Sequence, residues 1–289
     1  MIVSLLDLNP TVPDPKFPTQ DLLEIFEAGT GHGALTLNLA RAIHGANTVA
    51  PSIPGKDDAV EAESEGIGHT MEAYQAWKAD RRAVIHTLDC SARHSAHAET
   101  VVKNFCHGIY YPHIDFHVGD IDEYLSSRLA TTGSLPFLEH AILDLPDIQH
   151  YFDIVGKALK GNGTLITFCP SITQINSGVT YVRQHGIPLF LEKVVEVGGA
   201  VGVGGREWDV RPVKPRAFLK AQVTDMKPSD RLEEGLASGL EDASLEVPLS
   251  HTPSSGDSGW EMVCRPKVGL RTAGGGFVGV WRKMIGASR

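Results

Sequence analysis

The chain has 289 residues, 42% hydrophobic and 21% charged, with a formal net charge of −9. That composition excludes a wholly disordered chain, a coiled coil and a collagen-like fibre, and no apolar run approaches the roughly 18–20 residues of a membrane span. The four cysteines, Cys90, Cys106, Cys169 and Cys264, form no CxxC pair, so neither a disulfide framework nor a zinc site is expected and a reducing compartment fits them.

In chain order, MIVSLLDLNP reads as a helix just ahead of the first strand, without the basic flank and small-residue cleavage site of a secretory signal. Residues 10–18 are a Pro-rich connector. LEIFEA, at 23–28, is a strand that enters a glycine turn and an amphipathic helix over 34–44. Residues 45–82 hold seven acids against four Lys/Arg and read as an acidic, disordered insertion with room for a short helix near 59–79. A strand at 83–88 leads to a helix over 93–106, and a strand at 114–118 leads to a helix over 121–129. A strand at 140–143 leads to a helix around 150–159. Gly161-Asn162-Gly163 reads as a turn before a strand at 164–169, a helix over 172–185 and a sixth strand at 189–197.

GGAVGVGG, at 198–205, opens no helix and reads as a flexible hairpin rather than a phosphate loop. Residues 221–259 hold eight acids against two Lys/Arg, a second acidic and disordered insertion. The two insertions account for the whole net charge. Residues 260–289 carry six Lys/Arg against one acid and a late strand at 277–281. Strand–helix alternation at this spacing implies an α/β fold, a parallel sheet with helices on both faces. Ligands in such sheets bind beyond the carboxyl ends of the strands.

Those ends carry a constellation. The first reads Glu27-Ala28-Gly29-Thr30-Gly31-His32-Gly33, a tight turn in which backbone can approach a ligand at the start of a helix. Its spacing is G-x-G-x-G after an acid, not the dinucleotide G-x-G-x-x-G, and Glu27 would repel a pyrophosphate. The second strand ends in Asp89, the usual place of a carboxylate that grips ribose hydroxyls. The third ends Gly119-Asp120-Ile121, an acid for an adenine amine with an apolar neighbour for the ring. The fourth ends Asp144-Leu145-Pro146. Acids after strands also cap helices, but four at successive strand ends describe a pocket for a phosphate-free, positively charged adenosine. S-adenosylmethionine is that molecule.

EAGTGHGALTLNLARAI, GDI, AILDLPD and KALKGNGTLITFCPSITQI, with GREWDVRP and VCRPKVGLRTAGGGFVGVWRK, resemble the tRNA (adenine-58-N1)-methyltransferase family, catalytic-subunit type. The resemblance covers roughly 20–44, 83–220 and 260–284. It implies one Rossmann-like, seven-stranded class I methyltransferase domain over 1–289, interrupted by the two insertions. The family's small N-terminal β-rich domain is expected to be absent, since the glycine motif begins so early. Carried over by motif, Glu27, Gly29, Thr30, Gly31, His32 and Gly33 line the methionine and ribose side of S-adenosylmethionine, and Asp89 holds the ribose. Asp120 and Ile121 bracket the adenine, and Asp144 faces both cofactor and target base as the catalytic residue. Relatives often carry an Arg five residues after the ribose acid, where this chain has His94. The family's DLP-x-PW is here Asp144-Leu145-Pro146-Asp147-Ile148-Gln149, without the aromatic.

The resemblance further implies tRNA as substrate. It also implies a homotetramer, or a heterotetramer with a non-catalytic tRNA-binding subunit, in mitochondria or the nucleus. Arg206, Arg211, Lys214, Arg216, Arg265, Lys267 and Arg271 are the candidate cations for its phosphates. No metal is expected: His107, His113 and His117 lack ligand spacing, and Ser91, Ser171 and Ser177 lack a nucleophile elbow. The alternatives are a class I methyltransferase on another substrate, such as a protein carboxylate, or a non-catalytic tRNA-binding subunit.

Overall fold

The computed structural model describes residues 2–8, 10, 22–51, 64–197, 208–213, 261–266 and 276–285. Nine strands are present among them: β1 (Leu23–Ala28), β2 (Ala83–Asp89), β3 (Ile114–Val118), β4 (Leu138–Leu143), β5 (Leu159–Cys169), β6 (Leu189–Val197), β7 (Trp208–Val213), β8 (Glu261–Pro266) and β9 (Gly276–Lys283). Seven form one sheet in the order β3-β2-β1-β4-β5-β9-β6. The pairings from β3 to β5 are parallel, and β9 runs antiparallel between β5 and β6. This is the expected seven-stranded α/β sheet. The chain leaves β1 for β2 on one side and returns to β4 on the other, so a crevice opens between the carboxyl ends of β1 and β4.

The helices are α1 (Ile2–Leu5), α2 (Ala34–Ile43), α3 (Ser64–Ala79), α4 (Ala92–Asn104), α5 (Ile121–Thr131), α6 (Phe152–Ala158) and α7 (Ile172–Gln184). Two cores cover the sheet. Leu39, Ala40 and Ile43 of α2 and Val102 of α4 pack with Leu6 on Ile25, Ile85 and Ile142. Ile121, Leu125 and Leu129 of α5, with Phe152 and Val155 of α6 and Ile175 and Val182 of α7, pack on Phe26, Leu143, Leu165 and Trp281. The central strands are buried on both faces, which is why each reads as a near-continuous apolar run. Among the described residues no helix is long and apolar enough to cross a membrane.

Several expectations need correction. The helix for which the first acidic insertion has room is α3, over 64–79, so that stretch is ordered rather than disordered, and a 3-10 turn covers His44–Ala46. Tyr74 is buried, the Trp77 indole N–H donates to the carbonyl and hydroxyl of Thr48 at 3.2 and 3.0 Å, and Lys78 meets Asp115 of β3 at 2.6 Å. Gly161-Asn162-Gly163 is not a turn ahead of a strand but a bulge within β5. Between the pairs Leu138–Leu159 and His140–Thr164, β5 advances five residues while β4 advances two. Asn162 takes a left-handed φ of 67°, and a Cβ on Gly163 would lie 2.9 Å from the Glu139 carbonyl. The strands β7 and β8 form a separate antiparallel pair that the sequence pattern did not announce. The connector at 11–21, residues 52–63, the hairpin at 198–205 and the second insertion at 221–259 lie outside the described residues.

Candidate active site

The glycine turn forms one wall of the crevice. The Gly29 amide donates to the Leu88 carbonyl, and the Asp144 amide donates to the Ala28 carbonyl, both at 2.9 Å. These bonds lock the end of β1 against the ends of β2 and β4. Gly29 has φ 95°, and a Cβ there would lie 2.2 Å from the Asp144 carbonyl oxygen. Gly31 and Gly33 also take positive φ, and Gly33 precedes α2 with no side-chain cap on the first helical amides. Gly29→Ala is therefore expected to destabilise the fold by about 1–3 kcal/mol in urea unfolding, through strain and displacement of Asp144. An unchanged midpoint would refute that close approach.

Asp89 organises the second strand end. Its carboxylate accepts from the Gly31 amide at 3.1 Å and the Ser91 amide at 2.8 Å, and the His94 ring nitrogen lies 3.7 Å away. Asp89, the acid expected to meet the ribose, is thus bonded to the glycine turn, and His94 stands beside it. Ser91 caps α4. Asp120 accepts from the amides of Asp122 and Glu123, so it is the N-cap of α5, while Ile121 is buried behind it. The two candidate roles of Asp120, cap and ligand contact, coexist at one exposed carboxylate. Tyr151, which sequence reasoning missed, belongs to the same end. Burial raises its phenol pKa, and the negative groups of Asp120, Asp122, Asp147 and Cys90 raise it further.

Glu27 and Asp144 differ sharply. Glu27 is 1% exposed; its Oε2 accepts from the Thr36 hydroxyl at 2.6 Å and its Oε1 has no partner. Burial pushes its pKa to about 7; the hydroxyls of Thr36 and Thr87 pull it down and Asp144 pushes it up. Asp144 is exposed, and its carboxylate has no hydrogen-bond partner among the described residues. The protein around it still raises its pKa above the ordinary aspartate value by desolvation. Cys169, buried at the end of β5, is pushed to about 11 by burial, with Asp144 contributing. A carboxyl whose folded pKa exceeds its unfolded value holds a proton that the unfolded chain has lost. Stability therefore falls as pH rises from 4.5 toward 7 and stays low above that range. Glu27→Gln is expected to raise stability at pH 8 by up to about 3 kcal/mol and to change little at pH 4, checked by urea unfolding at both. Equal effects at the two pH values would refute the buried ionisation.

The described residues thus bring Glu27, Asp89, Asp120 and Asp144 to the carboxyl ends of four neighbouring strands, with Thr30 buried and His32 exposed on the turn. An orphaned buried carboxylate oxygen and a row of acids fit S-adenosylmethionine, which bears positive charge and ribose hydroxyls. They do not fit a phosphate. Arg211 lies on β7 opposite Val263 and Arg265 on β8 opposite Asp209 in the register of that pair. Arg206, Lys214, Arg216, Lys267 and Arg271 lie outside the described residues. His113 is taken up by His44 at 2.8 Å and Asn47 at 2.9 Å, and His117 by Tyr124 and His86.

No family model matches the chain. Two curated relatives are the tRNA (adenine(58)-N(1))-methyltransferases TrmI from two strains of Thermus thermophilus. Each is 29% identical over 210 residues, which cover 73% of this chain and 57% of the relative. The chain is similar to these enzymes. It spans a little over half of their length. Similar solved structures include a SAM-dependent O-methyltransferase from Thermotoga maritima, 14% identical with a TM-score of 0.43 over 99% of this chain and 71% of that one. Another is the tRNA (m1A58) methyltransferase TrmI from Aquifex aeolicus, 12% identical with a TM-score of 0.40 over 92% and 65%.

Proposed function

We propose that this chain transfers a methyl group from S-adenosylmethionine to N1 of adenine-58 in the T-loop of tRNA. The observation that carries this proposal is the placement of Asp144: an exposed carboxylate, unpartnered among the described residues, beside the glycine turn at the topological switch point of a chain similar to adenine-58 methyltransferases. S-adenosylmethionine, when bound, supplies an already activated methyl group. Asp89 and the turn would hold its ribose, Glu27 would answer its positive charge, and Asp120 with Ile121 would receive its adenine.

Asp144 accepts a hydrogen bond from the exocyclic amine of the target base. That bond aims the N1 lone pair at the methyl and favours the cation that N1 methylation creates. The N1 of a neutral adenine carries no proton, so attack needs no general base. The base leaves the tRNA stack at a cost of about a few kcal/mol. Arg206, Arg211, Lys214, Arg216, Arg265, Lys267 and Arg271 are the cations proposed for the phosphates. On the family resemblance, the working form is a tetramer, either four copies or two with two tRNA-binding subunits, in mitochondria or the nucleus.

The test is transfer of labelled methyl to unmodified tRNA, beside tRNA with adenine-58 replaced. Labelling that vanishes with the replacement supports the proposal. Labelling that persists would move the acceptor elsewhere. Cofactor binding without any labelling would favour a non-catalytic, tRNA-binding subunit.

A further inference from the structure

Glu27 is sealed at the back of the crevice. The elements packed on it supply Thr36 from α2, Thr87 from β2 and the neighbouring Asp144, and among the described residues no cation acts on it. The Thr36 hydroxyl donates to Oε2, the Thr87 hydroxyl, which also bonds Thr30 at 2.7 Å, is near enough to stabilise the carboxylate in part, and Oε1 makes no hydrogen bond. An ionised carboxylate in such a place has lost water and gained too little in return. Two conditions relieve it: a proton on the carboxyl, or a positive charge brought in from the crevice. The group sits near neutrality because the first condition holds when nothing else is bound.

We propose that Glu27 exchanges its proton for the positive charge of the cofactor, so that entry of S-adenosylmethionine expels a proton and formation of the neutral-sulfur product favours its return. This rests on the methyltransferase assignment. The charge balance closes over a turnover. The sulfonium charge moves with the methyl onto the base, the cofactor becomes an uncharged thioether, and a proton from solvent neutralises Glu27. The buried carboxyl thereby weakens the grip on S-adenosylmethionine at low pH and leaves the product indifferent. Asp144, the one charged group among the described residues that acts on Glu27, is exposed and carries its own raised pKa, so the Glu27 variant is needed to separate the two.

The experiment is calorimetric titration of the full chain with S-adenosylmethionine and with S-adenosylhomocysteine, in phosphate and in Tris. Both buffers are used because their different ionisation enthalpies reveal protons released. Near pH 7, S-adenosylmethionine is expected to release about half a proton per site. Its affinity is expected to rise roughly 15-fold between about pH 5.5 and about pH 7, where the cofactor's own amine stays protonated. The thioether should change by less than about twofold over that range. Glu27→Gln should flatten the cofactor profile and abolish the release. An unaltered release in that variant, or parallel profiles for the two ligands in the wild-type chain, would overturn the exchange and leave the methyltransferase assignment standing. Binding of neither ligand by the wild-type chain would overturn both.

Discussion

Asp144→Ala is expected to lower methyl transfer to tRNA by about 10²–10³-fold and to leave the fold intact. The backbone of Asp144 does structural work that alanine keeps: its amide bonds the Ala28 carbonyl, and its carbonyl packs on Gly29. The side chain does none. It is exposed, it has no hydrogen-bond partner among the described residues, and its desolvation opposes the charge it carries. A group held at a functional cost with no structural return is the pattern of a site residue. On the proposed function, its loss removes the acceptor that would orient the base and the negative charge that would meet the cationic product, two effects present mainly in the transition state. Asn, which keeps an acceptor oxygen but not the charge, should fall between the two. Single-turnover rates with labelled cofactor, beside circular dichroism and urea midpoints, separate activity from folding. Turnover within about threefold of wild type would remove Asp144 from the chemistry.

The parallel sheet was legible because its signals are local. β1 is a short apolar run buried on both faces and closed by Gly29, and β1, β3 and β6 occupy the residues their patterns marked, although β3 and β6 are partly exposed edge strands. The strand-end acids were legible for the same reason, since a strand end is a place on the sequence. What failed was whatever depends on distant partners. The helix α3 lacks an apolar stripe, for among Met71–Ala79 only Tyr74 is buried; it is held by Thr48 and Asp115. The β7–β8 pair contains Pro212 and Pro266, which argue against central strands, but in a two-stranded sheet every strand is an edge and tolerates them. At the site, Thr36 and Thr87 could not be told from ordinary core threonines. Their role emerges only where both meet Glu27, which is nine residues from one and sixty from the other in sequence.

Glu24→Ala is expected to cost about 3–5 kcal/mol of stability, the range for removing one partner from a buried ionic group. Glu24 lies three residues before Glu27 on β1, so its side chain enters the opposite face of the sheet, and it is 6% exposed. Its Oε2 accepts from Arg128 of α5 at 2.6 Å and lies 2.9 Å from the His86 ring nitrogen on β2. Burial alone would raise its pKa, but the bonds and charges of His86 and Arg128 outweigh it and hold the carboxyl below the ordinary 4.5. The network continues. His86 reaches His117 of β3 at 3.4 Å, His117 reaches the Tyr124 hydroxyl at 3.3 Å, and Asp115 binds Arg81 at 2.7 Å and Lys78 at 2.6 Å. One carboxylate thus ties β1, β2 and α5 together, and the chain of contacts extends to β3 and α3. Alanine would leave Arg128 and His86 facing a cavity without a counter-charge. Because the folded pKa of Glu24 is depressed, its stabilisation is fully present above the unfolded value and is lost as pH falls through the folded one. The difference between wild type and variant should therefore be largest near neutrality and shrink in acid, read from urea unfolding at a series of pH values. A loss under about 1 kcal/mol at pH 7 would mean that Arg128, partly open to water, keeps its charge solvated without Glu24 and that the network is incidental to the fold.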